Sequence, residues 1–513
     1  MEASANSVCA RLTGRAIFIS ILGLAAAGCL PDSKTGSNKT DASAYAESTA
    51  KSSPLARKKG DVQEISQASQ TLTSGPGTTG SLSGEARLYA AADTSASAQE
   101  DLTPSIPAIE DIPEVPANVA LARFFSSLAK LEKGTAQTVT ILHLGDSHIA
   151  ADRFSGGLRD QFQSRFGDAG RGMLTPGLYL ARGVKFDRGG EWQAAICLGS
   201  APGPYGVTGA KLTAQSKDAW LRMTAQDQPF AWTELTLDSG PQAGTVVLSL
   251  DGEMKQAPMR AATQSWRNIR LERPARELLI RPKGDGPVTI HSISIGTDKP
   301  GVRYVNLGLP GATAQTPLSW DRNYIAGDLK RIEPDLIILS YGTEESLNDN
   351  LDLNAYESKA SAAIAKLRQA APDASLMIVG PPDIAIMPKF AAGSGKASDV
   401  CRALSPAERG NYARRIKKRD PRLARWHPPY NLDAVRATLR RLAAAHNALF
   451  WDWSKLMGGA CGIHAWVHSK PPLAANDHIH LTEEGSKRSA RLLFRELMTA
   501  YDAASRTAAA AAK

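Results

Sequence analysis

Apolar positions change their period several times along this chain, and each change predicts a change of architecture. The run "TVTILHLGD" is β-branched and apolar, as in a strand buried on both faces, and it ends at Gly145. Upstream, Val119, Leu121, Phe124, Phe125, Leu128 and Leu131 recur at helical spacing and predict a helix over 117–131. Downstream, Phe154, Leu158, Phe162 and Phe166 recur every fourth residue and predict another. A strand, a tight turn holding Ser147 and a following helix would expose that serine above a parallel sheet.

From about 183 to 298 the pattern shortens to alternating runs, among them "TVVLSLDG" and "VTIHSISIG", divided by Gly, Pro and Asp. That texture predicts a β-sandwich or jelly roll. Strand and helix then alternate again: "VRYVNLGLPGATA", "PDLIILSYG", a helix at 354–370, "SLMIVGPPD", a helix near 432–446, "ALFWDWS" and a last helix at 482–501. The expected fold is therefore an α/β domain in two parts, 116–182 and 299–502, interrupted by an all-β insertion at 183–298. An Ala-rich tail, 503–513, is expected to fray.

The first 115 residues lack such patterns. Residues 1–29 carry Arg11 and Arg15, an apolar stretch from Ala16 to Ala27, then Gly28 and Cys29. This is the layout of a secretory signal, with an apolar run too short to span a bilayer as a mature helix. "LAAAGC" resembles a bacterial lipobox, which would make Cys29 the lipidated mature N-terminus. A plain signal peptide that happens to hold a cysteine is the alternative. Residues 30–115, rich in Ser, Thr, Ala, Gly and Pro, bury too little apolar surface to offset chain entropy and are expected to form a disordered tether. The expected location is the periplasm or cell envelope, with a lipid anchor in a bacterial membrane.

Composition changes this picture little. The chain has 513 residues, 42% hydrophobic and 22% charged, with a net charge of +9. The densest basic run, "RGNYARRIKKRDPRLAR" (409–425), lacks interleaved aromatics and any nucleic-acid module, so it reads as a solvated face. No nucleic-acid partner is expected; an anionic envelope polymer suits an exported chain better. With Cys9 removed and Cys29 lipidated, Cys197, Cys401 and Cys461 remain. Cys401 and Cys461, both in the C-terminal half, are the expected disulfide in an oxidising compartment. No phosphate loop, HExxH or Ca²⁺ loop occurs, so no metal or other cofactor is expected.

The candidate chemistry starts at "GDSH", where Ser147 follows a strand. A serine nucleophile needs a base, a group that orients the base, and donors for the oxyanion. "ANDHIHLTEEG" near the C-terminus supplies Asp477 and His480 just before a helix, at a spacing that lets the carboxylate bond one ring nitrogen while the other faces the serine. His478 competes as the base. His143 and His148 read as packing or substrate-edge residues. Trp451, Trp453 and Trp466 read as core and rim, with sugar stacking open for Trp466. Trp220, Trp232 and Trp266 fit either sandwich packing or sugar stacking.

"GDSH", "NLGLPGAT", "YGTEE" and "DHIH" occur in the order of the four sequence blocks of the SGNH (GDSL-type) hydrolases, which this chain resembles. The resemblance implies a flavodoxin-like α/β/α sandwich, with Ser147 as nucleophile and Asp477 and His480 as its partners. It also implies oxyanion donors from the Ser147 and Gly311 N–H groups and the side chain at 344. The branch most similar is that of bacterial peptidoglycan O-acetylesterases, which hold a carbohydrate-binding-module-like domain between the first two blocks; "GPPD" at 380–383 and "FWDWSKLMGG" at 450–459 add to the likeness.

One position departs from the family pattern. Glu344 stands where the third block has Asn, and an ionised carboxylate accepts hydrogen bonds without donating any. Losing one oxyanion donor costs about 3 kcal/mol. Either Glu344 is protonated by burial and donates its O–H, or the two backbone donors suffice, or activity is lost or redirected. The expected function is thus an exported serine esterase that removes O-acetyl groups from an envelope polysaccharide, most naturally peptidoglycan. The alternatives are a weakly catalytic or non-catalytic glycan-binding lipoprotein and a polysaccharide O-acetyltransferase.

Overall fold

The computed structural model describes residues 112–511, apart from 394 and 396. The expected signal segment, Cys29 and most of the tether lie outside the described residues. Five strands form a parallel sheet: β1 (Thr138–Gly145), β2 (Gly301–Gly308), β3 (Leu336–Ser340), β4 (Ser375–Val379) and β5 (Leu449–Trp451), in the order β2-β1-β3-β4-β5. This is the flavodoxin-like arrangement, in which the chain reverses direction across the sheet beside β1.

The near-continuous apolar run of β1 follows from burial on both faces. Val139 and Ile141 join one core, Leu142 and Leu144 the other. The first core is closed by α1 (Ala122–Glu132), α2 (Phe154–Phe166) and, at the C-terminus, a helix over Glu483–Ala511. On the opposite face lie α3 (Arg322–Ile332), α4 (Leu353–Ala370) and α5 (Leu432–Ala445). Asp321 and Asp352 cap α3 and α4 by accepting backbone N–H bonds in the first turn.

The expected ends of the hydrolase part need correcting. Ile112 is buried and Val115 packs on the first core, so ordered packing begins before 116. The C-terminal helix, here α6 (Glu483–Ala511), runs on through the segment expected to fray. Alanine has the highest intrinsic helix propensity, so a helix already anchored by Leu493, Leu497 and Tyr501 extends easily through it.

Between β1 and β2 the chain builds two antiparallel sheets. One is ordered Ser265–Leu271, Trp232–Ser239, Val288–Gly296, Ala210–Ala214, Gln193–Ile196; the other Val184–Gly189, Trp220–Ala225, Glu277–Pro282, Thr245–Leu250, Glu253–Pro258. Leu221, Met223, Leu235, Leu237, Leu248, Ile280 and Ile290 fill the space between them. The strand Gly172–Leu174, ahead of the alternating region, pairs with Val288–Gly296 and ties the sandwich back to the α/β domain. Among the described residues no helix is long and apolar enough to cross a membrane.

Where the two parts meet, a fully buried carboxylate gathers several segments. Asp152 accepts from the guanidinium groups of Arg159 (3.0 Å) and Arg171 (2.7 Å), from Asn306 Nδ2 (2.9 Å), from Ser155 Oγ (3.1 Å) and from the Arg182 N–H (2.7 Å). Burial alone would raise this carboxyl, but the two arginines and these hydrogen bonds hold it well below the usual carboxylate range. Replacing Asp152 by Asn would leave two buried guanidinium groups without a counter-charge. An Asp152→Asn variant should lose about 3–5 kcal/mol of unfolding free energy in urea at pH 7. Because the folded pKa is depressed, this stabilisation exists above the unfolded carboxylate range and fades in acid, so the gap to wild type should narrow as the pH falls below about 4.

Candidate active site

Ser147 lies at the C-terminal edge of the parallel sheet because β1 ends at Gly145 and a short helix, Ser147–Ala150, starts at once. Asp146 caps that helix, its Oδ1 accepting from the His148 N–H at 3.0 Å. The turn is tight against its neighbour: a Cβ on Gly308, the register partner of Gly145, would fall 2.1 Å from the Ala150 nitrogen. Only glycine lets β2 pass so close beneath the serine helix.

The loop ahead of α6 brings the other two residues to this edge. Ser147 Oγ lies 3.0 Å from His480 Nε2, and His480 Nδ1 lies 2.7 Å from Asp477 Oδ2. An ionised carboxylate only accepts, so Nδ1 carries the proton and Nε2 presents its lone pair to the serine hydroxyl. Burial pushes the Asp477 carboxyl up, but the bonds from His480 and from the Ile479 and His480 N–H groups outweigh it and hold the pKa down. The orienting group therefore stays ionised and the imidazole keeps the useful tautomer. This arrangement can draw a proton from Ser147 and hold the resulting imidazolium.

His478 does not compete for the serine. It is buried, stacked on Trp426 at 3.6 Å between ring centroids, and bonded to Asn476 O and His464 Nδ1. His143 is buried between Tyr304 Oη (2.8 Å) and Ser340 Oγ (2.7 Å), and burial lowers its pKa to about 3, so it is a neutral packing group.

His148 does more than pack. Its Nδ1 lies 3.2 Å from Asp146 Oδ1 and its Nε2 3.0 Å from the Ile479 carbonyl oxygen. Both partners accept only, so both ring nitrogens donate and the buried ring is an imidazolium. Burial opposes that charge, yet the Asp146 carboxylate and the Ile479 carbonyl raise the pKa nonetheless. His148 thus staples the serine turn to the 477–480 loop. The motif "GDSH" displays this residue, but its partner at 479 is invisible without the fold.

The residues expected to hold an oxyanion share the same edge. Gly311 follows the end of β2 at φ +82°, and neither its N–H nor that of Ser147 has an acceptor among the described residues. Glu344 follows β3, the other neighbour of β1, in a short helix Thr343–Ser346. Burial pushes its carboxyl up, the Asp146 charge adds to this, and His480 and His148 oppose it. Next to it, Glu345 is buried and pushed up to about 7, chiefly by burial. Its Oε1 accepts from the Ala314 N–H at 2.8 Å, linking the Thr343–Ser346 helix to the loop that carries Gly311. Nothing in the sequence pattern distinguishes that link from an ordinary surface glutamate.

The tryptophans divide by burial. Trp451, Trp453 and Trp466 lie in the first core, and Trp232 is buried under the Arg270 guanidinium. Trp266 is partly exposed, tilted at 39° against the Tyr324 ring with 4.2 Å between centroids, and lines a cleft with Gln264 and Asn323. This cleft lies between the insertion and α3. In the basic run Arg409, Arg415, Arg422 and Arg425 pair with Asp433, Asp420, Asp420 and Glu408. Cys401 and Cys461 are bonded to each other and Cys197 is free.

Comparison with known proteins agrees with this geometry. Residues 295–488 match the GDSL-like Lipase/Acylhydrolase family, and the chain carries a GDSL/SGNH acylhydrolase domain. The match begins at the very end of the insertion, in its last strand Val288–Gly296, so the Ser147 segment, cut off by the β-sandwich, lies outside it. Of solved structures, a peptidoglycan O-acetylesterase superposes with a TM-score of 0.60 at 24% identity, covering 76% of this chain and 99% of that one. That likeness establishes the fold, insertion included. A family two carbohydrate esterase from Cellvibrio japonicus is more remote: 12% identity, TM-score 0.22, 62% of this chain and 99% of that one. A GDSL-like lipase from Parabacteroides merdae is similarly remote, at 15% identity, TM-score 0.25, and 39% and 74% coverage. No curated protein sequence matches the chain. The family match supports an acylhydrolase role.

The His148 staple predicts a kinetic signature. A His148→Phe variant keeps a ring against Trp453 but removes both bonds. With an activated acetyl ester its kcat should fall about a hundred-fold while KM changes little, since loosening the loop misplaces His480 without touching substrate contacts.

Proposed function

We propose that this protein is an exported serine esterase that removes O-linked acetyl groups from an envelope polysaccharide, most naturally peptidoglycan. The observation that carries the reading is the continuous Ser147–His480–Asp477 chain of hydrogen bonds at the open edge of the sheet. His480 takes the Ser147 proton as the oxygen attacks the acetyl carbonyl, and Asp477 holds the imidazolium that forms. The free N–H groups of Ser147 and Gly311 receive the oxyanion. The sugar oxygen leaves with the proton from His480, and water, activated by the same base, releases acetate. The side chains of His480 and Asp477 are 28% and 35% exposed, an openness to water that favours hydrolysis over transfer to a second sugar. Trp266 at its cleft is the aromatic best placed to hold a glycan chain, and the N-terminal signal would keep the enzyme at the envelope.

Glu344 favours a second reading, a glycan-binding scaffold with a weakened oxyanion site. Two measurements separate them. Wild type should release acetate from acetylated peptidoglycan and Ser147→Ala should not; equal release by both would remove Ser147 from the chemistry. If a protonated Glu344 donates to the oxyanion, its raised pKa means the donor is present at low pH and lost as pH rises through that value. Glu344→Gln has a permanent N–H donor, so its kcat relative to wild type should climb with pH. A flat ratio would mean that Glu344 supplies no proton to the site.

A further inference from the structure

A second cluster of imidazoles, unused by the Ser147 chemistry, lies on the two segments joined by the disulfide. Asp399 is on the strand Ser398–Cys401; His464 is in the helix Gly462–Val467, and His468 caps its C-terminus. Cys401 ends that strand and Cys461 precedes that helix, so their bond locks the two segments together. One ligand atom from each of Asp399, His464 and His468 lies within 4.8 Å of the other two. No sequence motif announces this, because the carboxylate comes from a segment far from the histidines.

The proton positions follow from the neighbours. His468 Nδ1 lies 2.9 Å from the His464 carbonyl oxygen, which only accepts, so Nδ1 carries a proton and Nε2 is the nitrogen left for Asp399 or a ligand. That Nε2 faces Asp399 Oδ2 at 3.3 Å. His478 Nδ1 similarly donates to Asn476 O at 3.0 Å, so His478 Nε2 is an acceptor. It receives the His464 Nδ1–H at 2.9 Å, which leaves His464 Nε2 as a lone pair too. Ring nitrogens of two imidazoles and a carboxylate thus come together, with His468 Nε2 able to donate a proton to Asp399 or to give its lone pair to an ion. A proton on His468 would relieve only the Asp399 contact, whereas a divalent cation would satisfy all three groups.

We propose that Asp399, His464 and His468 form a binding site for a borderline divalent transition ion such as Zn²⁺. Two imidazoles and one carboxylate are a donor set zinc accepts, with a fourth position left to water. Zinc bonds of about 2.0–2.2 Å place ligand atoms roughly 3.3 Å apart. The site must therefore contract, and Asp399 and His468 are exposed and free to move. His464 is the fixed ligand. Its Nδ1 is held by His478, itself stacked on Trp426, and such a hydrogen bond orients a metal-binding histidine. His478 sits directly beside Asp477, so the ion would brace the loop that carries Asp477 and His480 without touching Ser147.

The test uses the full chain without a purification tag, stripped with a chelator and dialysed against Zn²⁺ alone. One ion should bind per chain, and Ser147→Ala should bind it equally. His468→Ala and Asp399→Ala, both surface changes, should weaken binding at least tenfold. Zn²⁺ should raise the Tm of wild type but not of His468→Ala, and Co²⁺ should give visible absorption in wild type but not in His468→Ala. No saturable binding, or equal binding by wild type and His468→Ala, would overturn the site and leave the Asp399–His468 pair bridged by a proton.

Discussion

Asp152 accepts hydrogen bonds from α2, from β2, from the approach to the β-sandwich and from the chain that leaves Gly172–Leu174, while being closed to water. A lone ionised carboxylate in that position would be prohibitively costly; it persists because its donors are all present at once. Asn306 makes the consequence local to the chemistry: the amide that bonds Asp152 also donates to the Ile149 carbonyl, in the helix that begins with Ser147. The serine turn, the first sheet neighbour and the root of the insertion therefore form one interlocked unit. An all-β domain can interrupt an α/β sheet beside its reactive edge because this junction does not allow the edge to shift.

That edge holds three neighbouring strand ends, and their contents differ in charge. β1 delivers Ser147 and the Asp146–His148 pair, whose opposite charges cancel nearly in place. β2 delivers Gly311 and a free N–H. β3 delivers two glutamates, and both are shifted toward the protonated form by burial. Two ionised carboxylates here would oppose the negative charge that develops on an attacked carbonyl. The upward push on both carboxyls lessens that opposition. Glu345 also holds the Gly311 loop through Ala314.

The features legible in the sequence are those encoded over short distances. The double-faced burial of β1 leaves an unbroken apolar run, and the sandwich leaves alternation, so both sheets could be read. Asp477 and His480 could be paired because their bond closes within one turn of chain. Asp152 and His148 could not be assigned, since their partners at 306 and 479 are adjacent only after folding. Glu345 is hidden for the same reason; at the ends of the domain, Ile112 gains order from packing that local composition does not reveal, while the Ala-rich tail extends an anchored helix by propensity.

The 476–480 loop collects these dependencies. Its odd role is to send two histidines, two residues apart, into different surroundings. The left-handed backbone at His478, φ +58°, turns that ring into the Trp426–His464 stack, while His480 returns to Asp477 and Ser147. A loop in an ordinary extended conformation would alternate its side chains and still leave both rings on the same face. The strain at His478 is of the order of 1–2 kcal/mol, and it is offset where the ring is held on both nitrogens. His148 holds the same loop from the other side through Ile479 O. The base is therefore positioned by two imidazoles that never contact the serine oxygen, and the precision of the Ser147–His480 bond rests on how firmly these two grip the backbone between them.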